Sequence, residues 1–121
     1  MFYKLFILGV FSIYRSKDGQ YRFCFNSRKG KPLFTSSKFE LRFECEDAVR
    51  VLQEAVGLLT FETTKNSDGS VTLVCQFATF LVKSRKFTTA FRQQKAVDEL
   101  KRTAAKAEIL DFSSALDVFP D

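Results

Sequence analysis

Side chains that carry enzyme chemistry are sparse in this sequence. The 121 residues include no histidine, which removes the usual base of serine and cysteine hydrolases and the commonest zinc ligand. The carboxylate pairs Glu46-Asp47 and Asp98-Glu99 are neighbours on predicted helices, so the two members of a pair point about 100° apart. We interpret both pairs as solvated helix faces. We therefore expect no enzyme, no cofactor and no metal.

The cysteines also favour a structural role. Cys24, Cys45 and Cys75 are separated by 21 and 30 residues, which matches no paired zinc-ligand spacing. An odd number of cysteines without a secretory signal is typical of a reducing compartment. The uncharged run Leu5–Tyr14 is too short for a membrane helix, which needs about 20 apolar residues. We expect buried thiols in a cytoplasmic protein without membrane contact, and a reactive thiol is the alternative.

The net charge of +5 is unevenly distributed. All 19 basic residues lie within residues 1–107, whereas residues 108–121, EILDFSSALDVFPD, hold four acidic residues and no basic one. This acidic segment also contains apolar residues such as Phe112 and Phe119. Two interpretations stay open: the segment folds back onto the basic body, or it binds a partner.

The densest basic cluster is a predicted hairpin tip, Arg28-Lys29-Gly30-Lys31. The second half of the chain has Phe77-Ala78-Thr79 at this place, so the fold does not require a basic tip. Clustered cations on a small sheet can contact nucleic-acid phosphates, although exposed basic turns also serve solubility alone. The candidate nucleic-acid-binding residues are Arg22, Arg28, Lys29, Lys31, Lys83, Arg85 and Lys86.

An internal repeat positions these residues. The stretches KDGQYRFCF, 17–25, and SDGSVTLVC, 67–75, each place an Asp-Gly turn before alternating apolar residues. A two-residue length difference after the turns keeps every later side chain on its face, because strand side chains alternate with period two. Ten identities follow in order: Phe11 with Phe61, Asp18 with Asp68, Gly19 with Gly69, Ser36 with Ser84, Lys38 with Lys86, Phe39 with Phe87, Phe43 with Phe91, Ala48 with Ala96, Val49 with Val97, and Leu52 with Leu100.

Each repeat reads as three strands and one helix within a single domain, 1–121. Repeat one, 10–57, has predicted strands at 10–15, 20–27 and 32–37, and a helix with an apolar stripe from Leu41 to Val56 that ends near Gly57. Repeat two, 58–107, has predicted strands at about 58–65, 70–77 and 79–85. Its helix begins after Thr88-Thr89, either of which can cap it. The inward residues of this helix are Phe91, Ala96, Val97, Leu100 and Ala104.

Repeat two contains no charge from Ser70 to Val82. A strand pair that is apolar on both faces needs cover on both sides or a partner chain. The segment Phe2–Leu8, the acidic segment or a second copy could supply that cover. The leading hypothesis is a non-catalytic interaction module that forms a homo-oligomer through Phe77, Phe80 and Val82. Nucleic-acid binding is the alternative.

The pattern FSIYRSKDGQYRFCF, followed by Ser36-Ser37, Phe39 and CEDAV, resembles the YegP-like family over about residues 11–105. Repeat two departs from it at Val71-Thr72-Leu73, and Glu40-Leu41 replaces the serines that usually open the helix. The resemblance implies an α+β fold in which two pseudo-symmetric β-β-β-α repeats share one curved antiparallel sheet with helices packed on it. Single-repeat relatives are expected to dimerise into the same arrangement. No activity is implied, because these small, mostly bacterial proteins have no assigned function.

Overall fold

The computed structural model describes residues 9–114, so predictions for residues 1–8 and 115–121 lie outside the described residues. Helix α1 spans Arg42–Ala55 and helix α2 spans Ala90–Thr103, and a short 3-10 turn follows each of them, at Val56–Leu58 and Ala104–Lys106. Neither helix of this part of the chain is long and apolar enough to cross a membrane. The strands are β1 (Val10–Arg15), β2 (Tyr21–Asn26), β3 (Pro32–Ser36), β4 (Glu62–Lys65), β5 (Val71–Gln76), β6 (Leu81–Ser84) and β7 (Ile109–Asp111).

The seven strands form one sheet in the order β4-β5-β6-β3-β2-β1-β7. The repeats meet where β3 pairs antiparallel with β6, and their register is symmetric. Since Thr35 and Lys83 are equivalent positions of the two repeats, a pseudo-twofold axis passes between them. The register pairs are Phe34 with Ser84, Thr35 with Lys83, and Ser36 with Val82.

The expected α+β class is confirmed, with two helices packed on one sheet. One feature differs from the antiparallel sheet that the resemblance implied: β7 pairs parallel with β1, which makes the sheet mixed. The amide of Phe11 donates to the carbonyl of Glu108 at 2.8 Å, and that of Phe112 to the carbonyl of Ile13 at 2.7 Å. The first residues of the acidic segment therefore fold back onto repeat one.

Both helices pack on the same face of the sheet. Alternation along β1 and β2 directs Phe11, Phe23 and Phe25 toward them, and all three are completely buried. The rings of Phe23 and Phe80, one from each repeat, meet with centroids 6.1 Å apart. The phenylalanines of both halves thus contribute to one core cluster.

Three details of the predicted helices need correction. Phe91 is 72% exposed, because it lies five residues before Ala96 and so about 140° around the helix from the buried stripe. Leu41 is exposed because it is the extended residue that precedes α1. Gly57 lies in a 3-10 turn and does not adopt a positive φ, so it is not a left-handed cap. The prediction for Thr89 is confirmed: its hydroxyl accepts from the Arg92 amide at 3.2 Å.

Candidate nucleic-acid interface

The serine shared by the repeats supports the backbone. The hydroxyl of Ser36 accepts from the amide of Phe23 and donates to the carbonyl of Ser37 at 2.7 Å. In repeat two, the hydroxyl of Ser84 accepts from the Leu73 amide at 2.8 Å and donates to the Arg85 carbonyl at 2.7 Å. The matching hydrogen bonds explain why both repeats carry a serine here.

The shared Asp-Gly turns are also structural. The carboxylate of Asp18 accepts from the Gln20 amide at 3.0 Å and from the Lys38 ammonium at 2.7 Å. Its pKa is lowered to about 2, chiefly by the hydrogen bond from Lys38 and then by that from Gln20. The following glycine, Gly19, has a φ of 85°, a conformation that glycine adopts without a steric penalty.

Asp68 closes the same turn in repeat two. Its pKa is lowered to about 2, chiefly by hydrogen bonds from the hydroxyl and the amide of Ser70. The Lys86 ammonium lies 3.5 Å from this carboxylate, as Lys38 lies beside Asp18. Lys86, a candidate nucleic-acid-binding residue, thus already has one anionic neighbour.

The environment of the three cysteines does not favour a role as nucleophile. All are buried and free, and burial raises the pKa of Cys24 and of Cys75. Burial raises the pKa of Cys45 to about 12, with smaller contributions from the nearby carboxylates of Asp111 and Glu46. Residues 9–114 hold no group of three or more side chains placed to bind a metal ion.

Cations converge in a cleft of about 450 Å³ between the β2–β3 hairpin, the segment after β6 and helix α2. We call it the basic cleft. Its acidic lining residue, Glu99, accepts a hydrogen bond from the Arg28 amide at 3.1 Å. The cationic lining residues are Lys29, Lys31, Arg85, Lys86, Arg92 and Lys95.

The hairpin tip is fixed at the mouth of the basic cleft. The hydroxyl of Ser27 accepts from the amides of Lys29, at 3.2 Å, and Lys31, at 3.1 Å. Gly30 has a φ of 86°, which allows the tight turn. Together with the hydrogen bond from the Arg28 amide to Glu99, these contacts hold the backbone of the tip against α2.

The structure divides the candidate nucleic-acid-binding residues between two faces. Four of them, Lys29, Lys31, Arg85 and Lys86, line the basic cleft, and Arg28 lines an adjoining cavity of about 290 Å³. Arg22 and Lys83 instead line a cavity on the other face of the sheet, which Arg85 also reaches. The seven residues therefore do not form one surface.

Two cations of the basic cleft, Arg92 and Lys95, were not predicted from the sequence. They lie three residues apart on α2, a spacing that places them on the same side of a helix. A comparison of the repeats identifies these two positions, because repeat one has Glu44 and Asp47 where repeat two has Arg92 and Lys95. The charge at this place is reversed between the two halves.

Two of the three predicted self-association residues are buried inside the protein. Phe80 is 5% exposed and Val82 is 1% exposed, so neither is available to a second copy. Phe77 is partly buried and stacks on Phe80 with ring centroids 4.4 Å apart. At Phe80 the apolar residue reflects burial, because its ring packs between Phe23 and Phe39 in the common core.

The whole arrangement is similar to two solved solution NMR structures. One is a protein of unknown function, YegP from E. coli, with a TM-score of 0.76 and 19% identity, covering 93% of this chain and 99% of that chain. The other is a UPF0339 protein from Shewanella oneidensis, with a TM-score of 0.79 and 10% identity, covering 91% of this chain and 96% of that chain. No protein-family model and no curated protein matches the sequence.

The fold defines a class of small α+β proteins in which two helices pack on one face of a seven-stranded sheet. Within that class, the chain has the YegP-like fold. The resemblance drawn from the sequence motifs is thus confirmed at the level of the fold.

Proposed function

We propose that this protein is a non-catalytic module that binds single-stranded nucleic acid in the basic cleft. The observation that carries the proposal is the charge reversal between the repeats. Repeat one builds the same helix and turns with Glu44 and Asp47 where repeat two has Arg92 and Lys95. In α1 the Glu44 carboxylate accepts a hydrogen bond from the Leu41 amide, whereas Thr89 caps α2, so neither helix cap accounts for the cations.

The fixed hairpin tip supports phosphate binding. Lysine side chains on an anchored turn lose less backbone freedom on binding than they would on a mobile loop. Lys29 and Lys31 project from such a turn, and the carboxylate of Glu99, the acid in the cleft, is engaged by the Arg28 amide. The cleft therefore presents an excess of positive charge to a polyanion.

A single strand is favoured over a duplex by an exposed aromatic ring. Phe91 is adjacent to Arg92 on α2, and the Lys95 ammonium lies 5.8 Å from its ring centroid. Proteins that bind single strands combine cationic grooves with aromatic rings on which bases stack. Phe91 offers such a ring beside Lys95, a cation of the basic cleft.

The test measures binding of an oligothymidylate of about 15 nucleotides by fluorescence anisotropy over a range of salt concentrations. The double variant Arg92→Glu/Lys95→Asp gives repeat two the charges of repeat one. We expect affinity to fall about tenfold or more at about 50 mM salt, and the salt slope to fall by about 1.4 for two lost phosphate contacts. Phe91→Ala is expected to weaken single-strand binding about tenfold and to leave duplex binding unchanged.

A matched control, Lys65→Glu/Lys101→Glu, makes the same change in net charge outside the cleft lining. Equal losses in the two double variants would mean that only net charge matters, and would refute a site at the cleft. Failure of the wild-type protein to bind single strands at low salt would refute the function itself. Self-association through repeat two is not retained, because Phe80 and Val82 are buried.

A further inference from the structure

The face of the sheet opposite the helices, which we call the open face, carries a continuous groove. One part has a volume of about 480 Å³ and the other about 650 Å³. Tyr14, Pro32 and Thr35 line both parts, so the parts adjoin. Each part by itself falls in the range of about 300–1,000 Å³ that holds small organic ligands.

Cross-strand register fixes the floor of the groove. Successive partners across β6, β3, β2, β1 and β7 share one face, because directly paired residues point to the same side of a sheet. The row runs Lys83, Thr35, Cys24, Ser12 and Leu110. It begins at a cation, passes hydroxyl and thiol groups, and ends at an aliphatic side chain.

The first part of the groove is cationic. Its lining includes Arg22, Lys83 and Arg85, and none of the lining residues within 9–114 carries a carboxylate. Within residues 9–114, the Nε of Arg22 is buried and has no hydrogen-bond partner. That N–H has no surface open to the groove, so it is the positive charge of Arg22, Lys83 and Arg85 that favours an oxyanion as ligand here.

The second part of the groove is mainly apolar. Val10, Leu110 and Phe112 line it, with the buried Cys24 at its base. The amide of Phe112 donates to the Ile13 carbonyl, which holds this residue beside β1. An aliphatic or aromatic body that enters here would leave water while its charged end stays beside Arg22.

We infer that the open face binds a small, free amphipathic acid, with its carboxylate at Arg22 and Lys83 and its apolar body over Cys24 toward Leu110. Charge complementarity selects an anion, and the planar guanidinium of Arg22 suits the two oxygens of a carboxylate. This site lies on the opposite face of the sheet from α2, and it does not depend on the proposed nucleic-acid function.

The probe is dodecanoate, below the concentration at which it forms micelles, added to the full chain and followed by amide chemical shifts. We expect shifts at Ser12, Cys24 and Thr35, and affinity that rises about fourfold per CH2 from octanoate to dodecanoate. Arg22→Met is expected to weaken dodecanoate binding about tenfold or more. The matched control Arg28→Met, on the other side of the sheet, is expected to leave it unchanged.

Several outcomes would overturn the inference. Equal binding of dodecyltrimethylammonium, which has the same chain and a positive head, would show that the charge is not recognised. Binding to anionic vesicles without binding to monomeric dodecanoate would identify a membrane surface instead. If a second copy or the chain's own ends occupied the open face, dodecanoate would not shift those amides. The Lys83→Met variant provides a second test of the head-group site should Arg22→Met unfold.

Discussion

The hydroxyl oxygen of Ser36 accepts a hydrogen bond from the backbone amide of Phe23 at 3.0 Å, inside the sheet. Strands β2 and β3 separate at this point: their pairing includes Cys24 with Thr35, and the next bridge joins Tyr21 to Phe39. A buried amide would otherwise face the gap without an acceptor. The Ser36 hydroxyl therefore replaces a missing hydrogen bond between the two strands. The Ser84 hydroxyl does the same for the amide of Leu73.

Removal of this hydroxyl should destabilise the fold. We expect Ser36→Ala and Ser84→Ala each to lower the free energy of unfolding by about 1–3 kcal/mol, because a buried amide loses its acceptor. Urea denaturation measures the change. Ser67→Ala, in an exposed turn, is the control and should stay within about 0.5 kcal/mol of the wild type. A loss no larger than that of the control would contradict the role assigned to the two serines.

The turn carboxylates make stability depend on acid. The pKa values of Asp18 and Asp68 fall from 3.8 to about 2 on folding, so their contribution is present above pH 3.8 and is lost as the pH falls toward 2. We expect the urea midpoint to decrease over this range. Asp18→Asn/Asp68→Asn keeps acceptors for the turn amides and should flatten that decrease. An unchanged pH profile in the double variant would show that other groups are responsible.

The two phenylalanines Phe80 and Phe91 should respond in opposite ways to truncation. Phe80→Ala removes a ring from the common core and should cost about 3–5 kcal/mol of unfolding free energy. Phe91→Ala alters an exposed ring and should change stability by no more than about 0.5 kcal/mol. Thermal and urea unfolding compare them directly. Similar costs for both would contradict the burial of Phe80 described above.

The cysteine thiols should be unreactive in the native protein. Burial raises the pKa of Cys24, Cys45 and Cys75, which leaves little thiolate at neutral pH. We expect a thiol-specific disulfide reagent to label fewer than one thiol per chain under native conditions and three in denaturant. Fast labelling of Cys45 in the folded protein would revive the hypothesis of a reactive thiol.

Local patterns in the sequence predict most of the fold. Strand β1 has the predicted bounds, Val10–Arg15, and Thr89 caps α2 as its residue type and position indicate. The prediction that Phe91 points inward was wrong, because its position on the helix is off the apolar stripe with which it was grouped. The prediction that Phe80 contacts a second copy was wrong, because the burial of this residue depends on the tertiary arrangement. An uncharged stretch has the same sequence pattern whether helices of its own chain or a partner cover it.

The candidate site was only partly predictable for a similar reason. The sequence identifies the tip residues Lys29 and Lys31, but their meeting with Arg92 and Lys95 depends on how the hairpin docks on α2 through Glu99. Arg22 belongs to the same run of basic residues, yet strand alternation directs it to the other face. Proximity along the chain therefore grouped residues that the sheet separates.

Thr35 and Lys83 oppose each other where the two halves of the sheet join. In an assembly of two identical single-repeat chains, the residue on this axis would meet its own copy. Two lysines would then face each other at a Cβ separation of about 5 Å, and the repulsion between their like charges would destabilise the pair. Covalent fusion lifts that restriction, since each half can diverge independently. A cation beside a hydroxyl at the centre of the sheet is a combination that strict symmetry would forbid.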